Sequence, residues 1–430
     1  MKKSNYVVPK GTRDYIYPET CRRRSIENTA RSLFGLHNFK EVETPIFEHT
    51  ELFVRGIGEG TDIVEKEMFT LVDQQSRSIT LRPEGTAGVV RSFVELSLLS
   101  RPHMRRVYYI GPMFRKERPQ SGRMRQFQQI GLEMFGYGAP EADYEVISIF
   151  TKFFTMLGLK NLVLKVNTMG CRKCRLDYLP VLKSYLSRNI DALCDNCKER
   201  VVKNILRVFD CKNEKCVGII NEAPVLRSFL CDECSDHFTA VLGYLERFKI
   251  PFRIEDRLVR GFDYYTRTNF EMVYGKLGAQ NAVGGGGRYD YLIADLGGPD
   301  LPALGFAIGL ERTMLALERQ GISIVEEDGL DYLIVVVEKE QMAFSIAIME
   351  RIQSLGLSTE IDYSRDSLKS QLRHANNIGA SNCIIIGEDE VSNNRLTVKD
   401  LRSGEQVQVD VNDLEKIIAG KKKDKQERNC

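Results

Sequence analysis

Residues 114–129 read FRKERPQSGRMRQFQQ, and over residues 113–126 five cations face one anion. The cations are Arg115, Lys116, Arg118, Arg123 and Arg125; the anion is Glu117, so the local charge is +4. Pro119 and Gly122 mark a turn between them. A strand–loop–strand hairpin with this charge can set guanidinium groups around a polyphosphate and an aromatic face under a purine. Phe127 supplies the ring. Arg312, in GFAIGLERTML, supplies a further cation near the start of a helix. Arg115, Arg123, Phe127 and Arg312 are thus the candidate nucleotide set, with ATP as the ligand: one arginine at the α-phosphate, the ring on adenine, a second arginine over the distal phosphates. Read alone, the hairpin also fits an exposed basic surface.

Cysteine is the second chemical signal. Eight of eleven cysteines fall within residues 171–234. Cys171-x2-Cys174 is followed after 19 residues by Cys194-x2-Cys197, the spacing of a zinc ribbon. Cys211-x4-Cys216 and Cys231-x2-Cys234 form a looser second set. The eight thiols can close two four-thiolate sites around structural Zn²⁺. Spacing does not fix their pairing, and interleaving is open. Thiols packed as small apolar side chains are the alternative.

These residues need elements to hold them. A helix is expected over residues 20–36, with Ile26, Ala30, Leu33 and Phe34 on one face. A strand follows near residues 39–43. The TLRPEGT segment, residues 80–86, is turn-like, and Thr86 is placed to cap a helix running to about residue 99. Residues 106–110 and 126–134 form the arms of the basic hairpin. Residues 141–157 form another helix, and residues 162–166 a strand. Residues 253–270 and 270–274 have strand character around a turn. The run Gly284–Gly287 permits close backbone approach and positive φ; no Gly-Lys-Ser/Thr follows, so it is not a P-loop. Residues 304–317 are patterned as a helix opened by Gly305. Beyond an acidic, Gly-containing linker, strands and helices alternate: strands at 332–337, 358–361 and 383–386, helices at 342–355 and 367–378, two polar strands near Leu396 and Val407, and a last helix at 411–418. The expected domains are residues 1–168 and 249–325 (one catalytic domain in two parts), 169–248 (an inserted Cys-rich module), 330–419 (an α/β domain) and 420–430 (a basic tail).

At 430 residues, 43% hydrophobic and 28% charged, the chain has the composition of a multidomain globular protein. A net charge of +2 does not exclude nucleic acid, because local patches attract phosphate on a near-neutral protein. No apolar run is long enough for a bilayer, and the start, MKKSNYVVPKGTRDY, has no apolar signal segment. A cytoplasmic location without membrane contact is expected, where grouped thiols point to metal before disulfides.

The hairpin, FRKE…RQFQQIGLE, resembles the second motif of class II aminoacyl-tRNA synthetases, and GFAIGLERTML resembles the third. GLHNFKEVETP is similar to the first, which in that family lies at a dimer interface. LVRGFDYYTRTNFEM and GGGGRYDYL are similar to the two signatures of histidyl-tRNA synthetases of bacterial type, and TLRPEGT to their histidine-binding segment. The resemblance covers residues 8–419 and includes every motif position. It implies an α+β and α/β multidomain chain: an antiparallel-sheet catalytic domain of class II synthetase type, the inserted module, and an anticodon-binding domain at residues 330–419. The implied activity is ligation of L-histidine to tRNA(His) at the expense of ATP, with Mg²⁺, by a homodimer.

The same resemblance implies roles. Arg82, Pro83, Glu84, Thr86, Arg115, Gln129, Glu133, Arg260, Tyr264 and Tyr265 are the expected histidine site. Glu84, Thr86 and Gln129 would accept from the ammonium, and Glu133 and Tyr264 would pair with the two imidazole nitrogens. Arg260 would bridge the histidine carboxylate and the α-phosphate and stabilise the transition state, with Arg115 the second catalytic residue. Arg118 and Gln120 at the loop tip would reach the tRNA acceptor end. Arg365, Lys369 and Arg373 suit a phosphate-facing stripe or a solvated face equally. The module would contact tRNA, but many family members lack its cysteines, so zinc rests on spacing alone. None of His37, His49, His103, His237 and His374 lies in a motif. The rival reading is the non-charging regulatory relative that serves ATP phosphoribosyltransferase, which resembles these synthetases but typically lacks the C-terminal domain and has eroded catalytic motifs.

Overall fold

A computed structural model describes residues 6–278, 281–324, 329–364 and 367–414. The chain divides into two units, residues 1–325 and 326–430. In the first, the elements run α1 (Glu19–Leu36), β1 (Lys40–Glu41), β2 (Phe47–His49), α2 (Thr50–Ile57), β3 (Phe69–Val72), β4 (Ser78–Leu81), α3 (Thr86–Glu95), β5 (Arg106–Phe114), β6 (Gln126–Phe135), α4 (Pro140–Met156) and β7 (Val163–Thr168). Then come α5 (Arg172–Arg188), α6 (Asp195–Lys203), α7 (Glu214–Glu222), α8 (Asp232–Arg247), β8 (Arg253–Ile254), β9 (Thr266–Val273), β10 (Ala282–Arg288), α9 (Leu292–Asp295), β11 (Ala303–Gly309) and α10 (Leu310–Arg319).

The main sheet has the order β1-β5-β6-β11-β10-β9-β7-β8. Its six central strands pair antiparallel, and the short outer strands β1 and β8 pair parallel. Period 2 gives the central strands two faces. Ile130, Leu132 and Met134 of β6, Leu304, Phe306 and Ile308 of β11, and Phe270 and Met272 of β9 pack in one apolar core with Ile26, Ala30, Leu33 and Phe34 of α1 and with α4. The alternate residues face the other way and build the site. A small sheet, β2-β4-β3, lies beside it in sequence.

Two expectations change. Residues 304–317 are not one helix: β11 ends at Gly309 and α10 starts at Leu310. Gly284–Gly287, given no element from the sequence, lie inside strand β10. Between β8 and β9, residues 255–265 are irregular rather than strand. The glycines share one physical reason. A Cβ at Gly286 would fall on the Gly305 carbonyl, and one at Gly305 on the Glu133 carboxylate, so the strands approach as they do only without side chains there.

The Cys-rich module has its own core, built from Tyr178, Leu182, Leu186, Val201, Val208, Ile220 and their neighbours. α8 does not belong to it. Phe238, Val241 and Leu245 pack into the core of the main sheet, so packing ends the module near α8 rather than at residue 248. α8 is also tied to α4 and the sheet by buried polar contacts: Arg288 meets Asp143 at 2.6 Å, and His237 meets Asp143 at 3.2 Å.

The second unit comprises β12 (Tyr332–Val336), α11 (Met342–Ser354), β13 (Thr359–Ile361), α12 (Leu368–Asn377), β14 (Asn382–Ile386), α13 (Glu388–Ser392), β15 (Arg395–Asp400) and β16 (Gln406–Asp410). Its sheet order is β13-β12-β14-β15-β16, parallel across β13, β12 and β14 and antiparallel thereafter. The expected α/β alternation is present. Lys369 and Arg373 are exposed on α12, while Arg365, residues 415–418 of the expected last helix and the basic tail lie outside the described residues. No described helix is long and apolar enough to cross a membrane.

Candidate active site

Along β6, Phe127, Gln129 and Glu133 line a cavity of about 680 Å³ on the face opposite the core. The register sets Glu271, Gly285, Ala307 and Gly131 in one row across β9, β10, β11 and β6. Three of these four have little or no side chain, so they form a trough, with the Glu271 carboxylate at one end. The Tyr109 ring closes the other end, in space left by Gly85 and Gly131, where a Cβ would overlap it.

At the Glu133 end the groups are buried and hydrogen-bonded. The Thr86 hydroxyl donates to Glu133 Oε1 at 2.7 Å, and the Tyr289 hydroxyl donates to Oε2. Burial pushes the Glu133 carboxyl from its ordinary 4.5 to about 8, against both donors, with Glu84 adding to the rise. Gln129 Oε1 is buried without a hydrogen-bond partner among the described residues, an open acceptor in the cavity wall. The Glu84 carboxylate accepts from the Thr86 amide at 2.6 Å and the Ala87 amide at 2.9 Å. It therefore caps α3, the role expected of Thr86, while still lining the cavity. Tyr264 stacks on Phe262 at 5.2 Å and meets Tyr289 edge-on at 5.5 Å; burial pushes its hydroxyl well above the ordinary value.

Cations fill the other end. Arg260, Arg115, Arg123 and Arg312 all line the cavity. Arg260 pairs with Glu271. Burial pulls its guanidinium down, but Glu271, with Tyr265 and Tyr264, outweighs burial and holds it above the ordinary value. Arg260 lies over Gly285, where a Cβ would come within 2.7 Å of Nη1. Arg115 donates from Nε to the Pro83 carbonyl at 2.8 Å, and its guanidinium sits 5.2 Å from the Phe127 centroid. Glu117 pairs with Arg123 at 2.9 Å and lies 3.6 Å from Arg115. Burial, then nearby Arg123, pulls Arg312 below its ordinary value. This is the geometry of a polyanion subsite: several guanidinium groups converge, and those of Arg260, Arg115 and Arg123 are steadied by a carboxylate, a carbonyl or a ring.

Two expected histidine-site residues lie elsewhere. Arg82 donates to the Pro112 carbonyl at 2.8 Å and the Thr44 carbonyl at 2.9 Å, so it ties β5 to the connection between β1 and β2, outside the cavity wall. Pro83 serves through its carbonyl, which anchors Arg115. Arg118 and Gln120 are exposed at the hairpin tip, where Gln120 and Arg123 bridge through their backbones. Sequence reasoning missed Tyr289 and Glu271 as site residues. Both stand inside the quoted signatures, Tyr289 in GGGGRYDYL and Glu271 in NFEM, and period 2 from Gly285 or Asn269 would have put them on the site face.

The eight cysteines gather in two sets of four whose sulfurs lie within 4.8 Å of one another: Cys171, Cys174, Cys231 and Cys234, and Cys194, Cys197, Cys211 and Cys216. The sets are nested along the chain. Cys171-x2-Cys174 joins the last pair, not Cys194-x2-Cys197 as ribbon spacing suggests. Backbone amides donate to the sulfurs: Cys231 to Cys174 at 3.2 Å, Cys194 to Cys216 at 3.2 Å and Asn213 to Cys211 at 3.4 Å. Four convergent sulfurs with amide donors suit a tetrahedral thiophilic cation.

Comparison with known proteins agrees with this geometry. Residues 11–313 match the family model described as histidyl-tRNA synthetase, and residues 331–421 match the anticodon binding domain. The histidine–tRNA ligase of Halothermothrix orenii is 47% identical over 94% of this chain and 96% of its own length. That of Natranaerobius thermophilus is 44% identical over 96% and 98%. The crystal structure of apo S. aureus histidyl-tRNA synthetase superposes with a TM-score of 0.81 at 34% identity, covering 96% of this chain and 99% of that one. With this identity over almost the full length, and with the cavity built by the matched segments, the chain belongs to the histidyl-tRNA synthetase family.

Proposed function

We infer that the protein is a histidine–tRNA ligase, which joins L-histidine to ATP as histidyl-adenylate, releases pyrophosphate, and passes histidine to the 3′ end of tRNA(His). The observation that carries this reading is one cavity with a carboxyl-lined amino-acid end and an arginine-lined phosphate end. Glu133 accepts an imidazole N–H, and the Tyr264 hydroxyl pairs with the other ring nitrogen. The open Gln129 oxygen and the Glu84 carboxylate take the ammonium. Each buried polar group that histidine satisfies would be left unpaired by an analogue lacking it, so discrimination of about 10⁴ is within reach.

Arg260 aligns the histidine carboxylate with the α-phosphorus and neutralises charge on the non-bridging oxygens as it builds. Glu271 keeps that guanidinium aimed until substrate arrives. Arg115 supports the α-phosphate, Arg123 and Arg312 the distal phosphates, and Phe127 the adenine. MgATP is the substrate form. No protein base is required for the first step, because the attacking carboxylate is already ionised; in the second step the adenylate phosphate can take the ribose proton.

The finer readings are proposals with their supports. Exposed Arg118 and Gln120 contact the acceptor end, and the C-terminal unit binds the anticodon. A homodimer forms through the first-motif surface, where Leu36, Ile46 and Phe47 are exposed. The compartment is the cytoplasm. The cysteine sets hold structural zinc, which cross-links a module with a small core. Against the non-charging relative stands the full set Arg115, Arg260 and Arg312 in the cavity. The deciding experiment is histidine-dependent ATP–pyrophosphate exchange followed by charging of tRNA(His). Exchange with charging supports the ligase; histidine binding with neither refutes it.

A further inference from the structure

The two cysteine sets occupy different mechanical positions. Cys171 and Cys174 follow β7, and Cys231 and Cys234 open α8, whose later turns sit in the main core. This outer set closes the neck through which the module leaves and rejoins the catalytic domain. The inner set closes a shorter loop. Cys194 and Cys197 flank the start of α6, and Cys211 and Cys216 follow the 3-10 turn Ile205–Asp210.

Four polar side chains between the inner cysteines, Arg200, Lys203, Asn204 and Arg207, reach the catalytic domain. Arg207 lies 3.1 Å from Asp62 and 2.9 Å from Asp210, and donates to the backbone carbonyl of Arg260 at 3.3 Å. Arg200 meets Asp62 at 3.3 Å and also donates to the Arg207 carbonyl. Asn204 donates to Asp263 at 2.8 Å, in the same irregular segment as Arg260. Lys203 meets Glu65 at 3.3 Å. Arg207, Asp210 and Cys211 themselves line the active-site cavity. The docking is polar, and a gap of about 100 Å³ remains beside it. Polar contacts around a gap give little shape-locking of their own, so the 194–216 loop is positioned by the packing of Val201 and Val208 on the module core and by the cysteine set that ties its two ends together.

We propose that Cys194, Cys197, Cys211 and Cys216 form a zinc site that holds Arg207 against the segment carrying Arg260, so that this metal, and not the outer one, sets the geometry for histidine activation. Arg207 is a positioning residue: it touches the backbone of Arg260 and not the reacting atoms. The proposal rests on the ligase reading above for its activity readout and on the thiolate geometry for the metal. A misplacement of about 1 Å in a catalytic group costs up to about 10²-fold in rate, and that is the scale expected here.

The test uses the full-length protein. Metal analysis should give about two zinc ions per chain, one per cysteine set, falling to about one in Cys197→Ser. Arg207→Ala should keep both zinc ions yet lower kcat in histidine-dependent pyrophosphate exchange by about 10- to 10²-fold, with Arg207→Lys recovering part. Hydrogen exchange should show residues 57–63 and 258–264 losing protection in Arg207→Ala and Cys197→Ser. Arg227→Ala is the control. It breaks the module's contact to Asp256 at 2.7 Å, at the far end of the segment carrying Arg260 from Arg207 and outside the inner cysteine set, and should leave exchange kinetics within about 2-fold. Normal turnover in Arg207→Ala, or in Cys197→Ser that has lost its inner zinc, would overturn the proposal, as would wild-type protein free of zinc. If Cys197→Ser does not fold, Arg207→Ala and partial zinc removal from wild type by a mild chelator decide. Wild-type protein with no exchange activity would sink the ligase reading instead, while zinc count and protection would still report on the loop.

Discussion

Replacing Glu133 by Gln isolates the least ordinary ionisable group of the site. Glu133 is 1% exposed and receives the Thr86 and Tyr289 hydroxyls. Burial carries its carboxyl from 4.5 to about 8. Between those values the unfolded chain has released a proton that the folded chain retains. Stability from this group is therefore full below about 4.5 and is lost as pH rises toward 8, at up to about 1.4 kcal/mol per pH unit. From about pH 5 to pH 8 the loss is on the order of 4 kcal/mol. Glutamine has similar shape and no proton to release. The stability difference between Glu133→Gln and wild type should therefore climb with pH by several kcal/mol, with the variant the more stable at pH 8. Titrating groups remote from Glu133 cancel in that difference, while Glu84, which adds to the Glu133 rise, is relieved along with it. Urea unfolding of both proteins at about pH 5, 6.5 and 8 measures it. The same variant exchanges for an amide the carboxyl that meets the imidazole N–H, and its KM for histidine in pyrophosphate exchange should rise on the order of 10²-fold. Parallel stability curves for the two proteins would refute the buried-carboxyl argument, and an unchanged KM would refute its place in the histidine site.

Arg260→Ala should lower adenylation by at least about 10²-fold, with Arg260→Lys a poor rescue because lysine lacks the planar fork; pyrophosphate exchange at saturating histidine reads both. Gly285→Ala should act on the same residue from beneath. Its Cβ would lie 2.7 Å from Arg260 Nη1 and 2.6 Å from the Phe270 carbonyl, so exchange should fall at least about 10-fold with a stability loss of about 1–3 kcal/mol. Arg288→Ala should leave activity per folded molecule less affected but cost about 3–5 kcal/mol in unfolding free energy. It takes from Asp143, which is 2% exposed, its arginine partner and leaves His237; together the two hold that carboxyl below its ordinary value despite burial.

Much of the architecture was legible because the core face of each element speaks through side chains. Ile26, Ala30, Leu33 and Phe34 recur at helical spacing and are buried as that spacing requires. The hairpin arms, the helix over Pro140–Met156 and the alternating C-terminal unit follow for the same reason. Among the site residues, Glu84, Thr86, Arg115, Gln129, Glu133, Arg260, Tyr264, Tyr265 and Arg312 converge on one cavity. Arg82 does not, because adjacent residues of TLRPEGT face different ways, and a segment match cannot tell a side chain that enters the site from one that holds its wall. Cysteine pairing was open for a related reason: spacing along the chain ranks local closure first, whereas the nested sets depend on the return of α8 to the sheet.

The misreading of β11 has a more general cause, which β10 shares. On β10 and β11 the site face is built from Gly285, Gly305, Ala307 and Gly309, residues chosen for the volume they leave out. Period-2 alternation is present in Leu304, Phe306 and Ile308, but small residues between apolar ones contribute no polar signal, so the pattern also fits a helix. A substrate trough in a sheet must look like this: where ligand and guanidinium fill the space above a strand, the sequence shows only absence. The glycines are informative once paired with what occupies their vacated space. Gly285 lies under Arg260, Gly131 and Gly85 around Tyr109, and Gly305 against Glu133. Each such pairing couples a strand residue with no chemistry to a side chain that has it, which is why substitution at Gly285 is expected to read out at the phosphate end of the cavity rather than in the core.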